Sequence, residues 1–245
     1  MKASRMATIT PMPLTIYLIR HGETEWSLSG QHSGRTDIPL TTHGEDQARE
    51  TGKRLRSIPF AHVLTSPLRR AQQTCVLAGL EPESVTDPDL TEWDHGNDAG
   101  RTLQNILESR PGWNLFRDGS PGGETPAQIS ARADRFIAHL RTLDGNVALF
   151  SHSDFGRVLA VRWIGLSVEQ AQHFLLSTAS VSVFCYDEDH TGQPAIALWN
   201  SATPDTFDPA PEQQTGDTGL SKRRAIEQWE NEGGEIPNAE RSPMA

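Results

Sequence analysis

The chain has 245 residues, of which 36% are hydrophobic and 22% charged, and its 22 Lys and Arg against 32 Asp and Glu give a formal net charge of −10. This composition suits a globular protein with its own core, and a net negative chain without a concentrated basic face is a poor partner for nucleic acid. No apolar run approaches the ~18 residues of a membrane span, and the start of the chain lacks an apolar secretory stretch, so neither membrane insertion nor secretion is expected.

Residues 1–13 are expected to be a flexible N-terminus. The run Leu14-Thr15-Ile16-Tyr17-Leu18-Ile19 is almost wholly apolar and stops abruptly at Arg20-His21-Gly22, which predicts a strand covered on both faces that feeds a loop. Gly22 is expected to let the chain turn there. Thr42-His43-Gly44-Glu45 reads as a capping box that opens a helix. A short strand, Ala61–Thr65, leads to Ser66-Pro67-Leu68-Arg69-Arg70, read as a helix start with Ser66 as N-cap and Pro67 at the first position.

The glycine-rich stretch from Trp93 to Gly123 interrupts this pattern, with one short helix expected around Thr102–Ser109. Thr125-Pro126-Ala127-Gln128 is a second capping box, followed by Ile129, Ala133, Phe136, Ile137 and Leu140 at helical spacing. The strand Asn146–Ser151 runs into His152-Ser153 and a helix over Asp154–Ile164; Ser167-Val168-Glu169-Gln170 reads as a third capping box. Val181–Tyr186 and Ala195–Trp199 read as strands around a polar turn that extend the sheet at one edge. Strands alternating with helices predict an α/β three-layer sandwich, a mostly parallel sheet with helices on both faces, over residues 14–200.

From Ser201 to Ala245 the composition shifts to Pro, Gly, Gln and acids, nine Asp and Glu against four Lys and Arg, as expected of a disordered acidic tail, with Leu220–Trp229 as a candidate short helix. Cys75 and Cys185 belong to no Cys-x-x-Cys pair, which predicts reduced thiols and a cytoplasmic protein. No His-Glu-x-x-His, Gly-x-Ser-x-Gly or Gly-x4-Gly-Lys-Ser/Thr motif is present. Metalloprotease, serine-hydrolase and nucleotide-loop chemistries therefore have no foothold, and no metal site is expected.

Four blocks in order, Arg20-His21-Gly22-Glu23-Thr24, Ser66–Thr74, Leu90-Thr91-Glu92 and Ser151-His152, resemble those of the histidine phosphatase superfamily, also called phosphoglycerate mutase-like. Gly34–Gly44 is similar to the family's loop between first strand and first helix, and the resemblance covers roughly residues 14–200. It implies a phosphoglycerate mutase-like fold and a phosphatase that needs no cofactor or metal. The implied partner is a small phosphorylated metabolite, most suitably a sugar phosphate.

By the same resemblance His21 is the nucleophile, becoming a phosphohistidine, and Arg20, Arg70 and His152 hold the phosphoryl oxygens. Arg70 is preferred to Arg69 because the family's arginine immediately precedes the Ala71 position. Glu92 is the implied acid, with Asp94 and His95 next in line, and Ser27 and the Ser153 amide are implied substrate contacts. The stretch from Trp93 to Gly123 is implied to cover the mouth of the site. Trp93-Asp94-His95-Gly96 looks like the branch of sedoheptulose bisphosphatases and broad acid phosphatases, although Ala99-Gly100 stands where that branch usually has Glu-Gly. A phosphoglycerate mutase-type transfer and a catalytically silent binding protein are the competing readings; the oligomeric state is left open.

Overall fold

In the computed structural model, described over residues 13–187 and 192–202, six strands form one sheet in the order β3-β2-β4-β1-β5-β6. The N-terminus to residue 12 and the tail from residue 203, with its candidate helix, lie outside the described residues, which all belong to one compact unit, Met1–Asp208. The strands are β1 (Thr15–Arg20), β2 (Phe60–Thr65), β3 (Ser84–Thr86), β4 (Asn146–Ser151), β5 (Val181–Tyr186) and β6 (Pro194–Ser201). β1, β2, β3 and β4 run parallel, whereas β5 and β6 add an antiparallel edge. The sheet is therefore mixed and mostly parallel, as expected.

The continuous apolar character of β1 and β4 follows from burial on two faces. Ile16 and Leu18 of β1 and Val147 and Leu149 of β4 pack with Ile129, Phe136 and Leu140 of α6 (Pro126–Leu140) and with Phe155 and Leu159 of α7 (Ser153–Trp163). Their neighbours Ile19, Ala148 and Phe150 pack on the opposite face with Leu55 of α2 (Thr42–Leu55) and Cys75 of α3 (Arg69–Leu77). A strand's period of two thus serves two helix layers. The remaining helices are α1 (Glu25–Ser29), α4 (Leu103–Ser109) and α5 (Leu115–Asp118), the last two within the glycine-rich interruption, where only α4 was expected.

The capping box at α6 forms as read, with Thr125 accepting from the Gln128 amide and the Gln128 side chain taking the Thr125 amide. At α2 the cap is Thr41 rather than Thr42: its hydroxyl accepts from Gly44 N at 3.0 Å and donates to Glu23 at 2.7 Å, so it secures the helix to the β1 loop as well. Ser66 does not cap α3. Its hydroxyl lies 2.7 Å from His152 Nε2, and the helix starts only at Arg69 with Leu68 as an uncapped N-cap. Ser167 opens a 3₁₀ stretch, Val168–His173, without a side-chain cap, where a capped helix was expected.

Candidate active site

β1, β2 and β4 are central parallel strands, and their carboxyl ends deliver Arg20-His21, Ser66 and Ser151-His152 to one side of the sheet, where open α/β sheets hold their ligands. His21 N donates to Ser151 O at 3.0 Å, which fastens the two histidine loops together. The rings of His21 and His152 then lie 5.3 Å apart, inclined by 58°.

Gly22 does not have the positive φ of a turn glycine. Its role is close approach: a Cβ there would lie 2.3 Å from Gly44 O in the first turn of α2, and a Cβ on Gly44 would lie 2.1 Å from Glu23 O. Two glycines bring the helix against the loop, and Gly22 N donates to Thr74 Oγ1 of α3 at 3.0 Å. The loop that carries His21 is thus clamped from two helices.

His21 is 4% exposed. Its Nδ1 lies 2.7 Å from Gly22 O, so that nitrogen carries the proton and Nε2 keeps its lone pair. Burial, then the charges of Arg70 and Arg20, hold the imidazole well below its ordinary pKa, which makes it neutral at physiological pH. The pKa of His152 is likewise held down by burial first, then by Arg70, His21 and Arg20.

Arg70 is fully buried in the first turn of α3, and its two terminal nitrogens donate to Thr36 O at 2.9 Å and Gly34 O at 2.8 Å. The loop whose sequence runs Gly34-Arg35-Thr36 is a holster for this guanidinium. Burial pushes its pKa down to about 10, against Glu92 and Asp37, so it stays charged. Arg69 next to it is exposed, and only its backbone amide is engaged, with Asp37 at 2.7 Å. Arg20 hangs from Leu176 O by one terminal nitrogen, while its Nε, like that of Arg70, is buried without a hydrogen-bond partner.

Glu92 is 5% exposed and accepts from Trp93 N and Phe155 N on one oxygen, both at 2.9 Å, and from Asp154 N on the other at 3.2 Å. It therefore sits on the first turn of α7, where helix amides have no partner within the helix. Burial, and then the neighbouring Asp154 charge, raises its pKa, with His95, the Phe155 amide and Arg70 opposing.

A cavity of about 200 Å³ is lined by Arg20, His21, Glu92 and Ser153 with Trp26, Ser27, His32 and Asp154 among others. Ser27 is present there, but its hydroxyl accepts from Thr24 N and donates to Thr24 O as the capping box of α1. Ser153 is the first residue of α7, so its amide points from the positive end of the helix dipole. Asp94 is turned aside: its carboxylate takes Gly96 N and lies 3.6 Å from Arg35. The reading of the sequence missed His32, Asp154 and the roles of the Gly34 and Thr36 carbonyls, because backbone acceptors leave no side-chain signature and the partners of all four lie far away in the chain.

A strand-end histidine, buried arginines and a helix-bound carboxyl thus gather at the carboxyl end of the sheet. The profile of the histidine phosphatase superfamily (branch 1) matches residues 16–202, and the chain belongs to that family. It is 38% identical over 187 residues to an acid phosphatase of Mycobacterium tuberculosis, covering 74% of this chain and 90% of that protein. It is 32% identical to sedoheptulose 1,7-bisphosphatase of Saccharomyces cerevisiae over 86% of this chain and all of that protein. The solved structure of the Mycobacterium tuberculosis open reading frame Rv3214 superposes with a TM-score of 0.73 at 34% identity, over 77% of this chain and 97% of that one. Among the described residues no helix is long and apolar enough to cross a membrane.

Proposed function

We propose that this chain hydrolyses small phosphate monoesters, sugar phosphates foremost, through a phosphohistidine on His21. The observation that carries the reading is the tautomer lock at His21: Nδ1 is committed to Gly22 O, and burial beside Arg70 and Arg20 keeps the ring neutral. A neutral imidazole with a fixed tautomer has its Nε2 lone pair ready for phosphorus.

The Nε2 lone pair of His21 attacks phosphorus as the bond to the bridging oxygen breaks. Arg20, Arg70, His152 and the Ser153 amide hold the three equatorial oxygens, where charge accumulates in the transition state. Protonated Glu92 gives its proton to the departing alkoxide. The carboxylate then takes a proton from the water that attacks phosphohistidine, which releases phosphate and restores His21.

A sugar substrate is supported by the uncharged Trp26, Gln31 and Ser33 in the cavity lining, a ring to pack on and polar groups to meet hydroxyls. The deciding experiment presents sugar phosphates, phosphoglycerates and nucleotides, and scores both phosphate release and isomerised product. Phosphate release from sugar phosphates, with label trapped on His21 after a quench that avoids acid, is the expected result. Efficient isomerisation of phosphoglycerates would favour a mutase, and label on another residue would refute His21.

A further inference from the structure

Three side chains that the proposed phosphoryl transfer does not use meet on the wall of the same cavity. His32 lies in the loop after α1, tied through its backbone to Arg101 O and Gly100 N. His95 follows the Glu92 segment, and Asp154 sits in the first turn of α7. One ligand-capable atom of each lies within 4.8 Å of those of the other two. His95 Nε2 is 3.1 Å from Asp154 Oδ2, and the His32 and His95 rings lie 4.6 Å apart at 31°.

A second observation points to a missing partner at this spot. His32 Nε2 is shielded from solvent and has no hydrogen-bond partner, beside a His95 side chain that is only 1% exposed. Buried polar nitrogens without partners are costly, and an ion is one of the few things that relieves them.

We propose that His32, His95 and Asp154 bind one divalent transition cation, Zn²⁺ foremost, with an open coordination position facing the His21 cavity. Two imidazole nitrogens and one carboxylate oxygen are a donor set that zinc takes when it keeps a fourth position open. Magnesium and calcium, which want oxygen ligands, fit it poorly. Tetrahedral bonds of about 2.0 Å place ligand atoms about 3.3 Å apart, and the His95–Asp154 pair already stands at 3.1 Å. Closure therefore asks movement chiefly of His32, which is half-buried and carried by a loop. The second oxygen of Asp154, 3.5 Å from Arg157, leaves Oδ2 turned to the site.

The test uses the full chain, dialysed against a chelator and titrated with ZnCl₂ by calorimetry. One ion per chain is expected. His32→Ala and Asp154→Asn should each weaken binding by at least about 10- to 100-fold, the loss that even an outer-shell partner's removal causes. The exposed His43→Ala and His173→Ala should leave it unchanged. Zinc-edge absorption of the unmodified protein gives a readout that does not depend on a variant folding, and should show two imidazoles in the shell. Absence of saturable binding, binding that survives both ligand substitutions, or a shell without two imidazoles would overturn the site.

Discussion

Replacing Glu92 with Gln removes one transferable proton while nearly preserving shape. The carboxyl accepts two amides on one oxygen and the Asp154 amide on the other. Glutamine keeps the first pair but sets an NH₂ group against Asp154 N–H, so one hydrogen bond is lost, at about 1–3 kcal/mol of stability. The fold should survive that. The chemical loss is larger for a poor leaving group: general acid help is worth on the order of 10²- to 10⁴-fold, or about 2.7–5.4 kcal/mol at ~1.36 kcal/mol per decade. A sugar alkoxide needs the proton, whereas p-nitrophenolate departs without it. Rapid-quench measurement of the first phosphoryl transfer should therefore show a fall of that size with a sugar phosphate and only a mild one with p-nitrophenyl phosphate. Overall turnover is the wrong readout, because the same carboxylate activates water in the second step. Equal slowing of the first step with both substrates would refute Glu92 as the acid and bring His95, which lines the same cavity, forward.

Phosphate release should survive EDTA, since each charge-stabilising role falls to a side chain or a helix amide; strong loss restored by a divalent ion would sink the mechanism. Arg70→Lys should lower kcat/KM by about 10²-fold or more, because an ammonium cannot hold both Gly34 O and Thr36 O while facing phosphate, whereas the exposed Arg69→Ala should leave kcat/KM close to the parent value; the reverse ranking would reassign the arginine. Gly44→Ala, whose Cβ would lie 2.1 Å from Glu23 O, should cost at least about 1–3 kcal/mol in urea denaturation, and an unchanged midpoint would contradict the close approach. His152 has a pKa depressed by burial and then by Arg70, so the unfolded chain takes up its proton first as pH falls. Its contribution to stability is present above the ordinary imidazole pKa of 6.5 and is lost below it. His152→Asn should flatten the fall of stability below that pH by about 1.4 kcal/mol per pH unit, and an unchanged slope in pH-dependent urea titrations would refute a neutral buried His152.

The parallel core was legible because burial on two faces leaves an unmistakable trace. Thr15–Arg20 and Asn146–Ser151 are apolar without alternation, and each ends at a histidine. The capping pair Thr125 and Gln128 was legible for the same local reason: both partners lie within four residues. Errors arose where a tertiary partner captured a group that looked local. Ser66 has the composition of an N-cap, yet its hydroxyl is drawn to His152 across 86 residues. Thr41 outranks Thr42 because it can serve Gly44 and Glu23 together. Three-residue β3 carries too little pattern to be read at all.

At the site, residues with chemistry at the end of a strand could be anticipated, but the groups that tune them could not. Arg70 could be preferred to Arg69 from its place before Ala71, but the Gly34 and Thr36 carbonyls that hold it lie more than thirty positions away. The pKa of Glu92 is lifted by burial and then by Asp154 in the first turn of α7, not by its neighbours in sequence. The same topology brings His32, His95 and Asp154 together from three segments that share no spacing. A motif records which side chains the chemistry requires; the parallel crossovers decide which other groups they meet. In this chain those crossovers place a histidine pair and an aspartate where a single further ion would alter the cavity without touching the nucleophile.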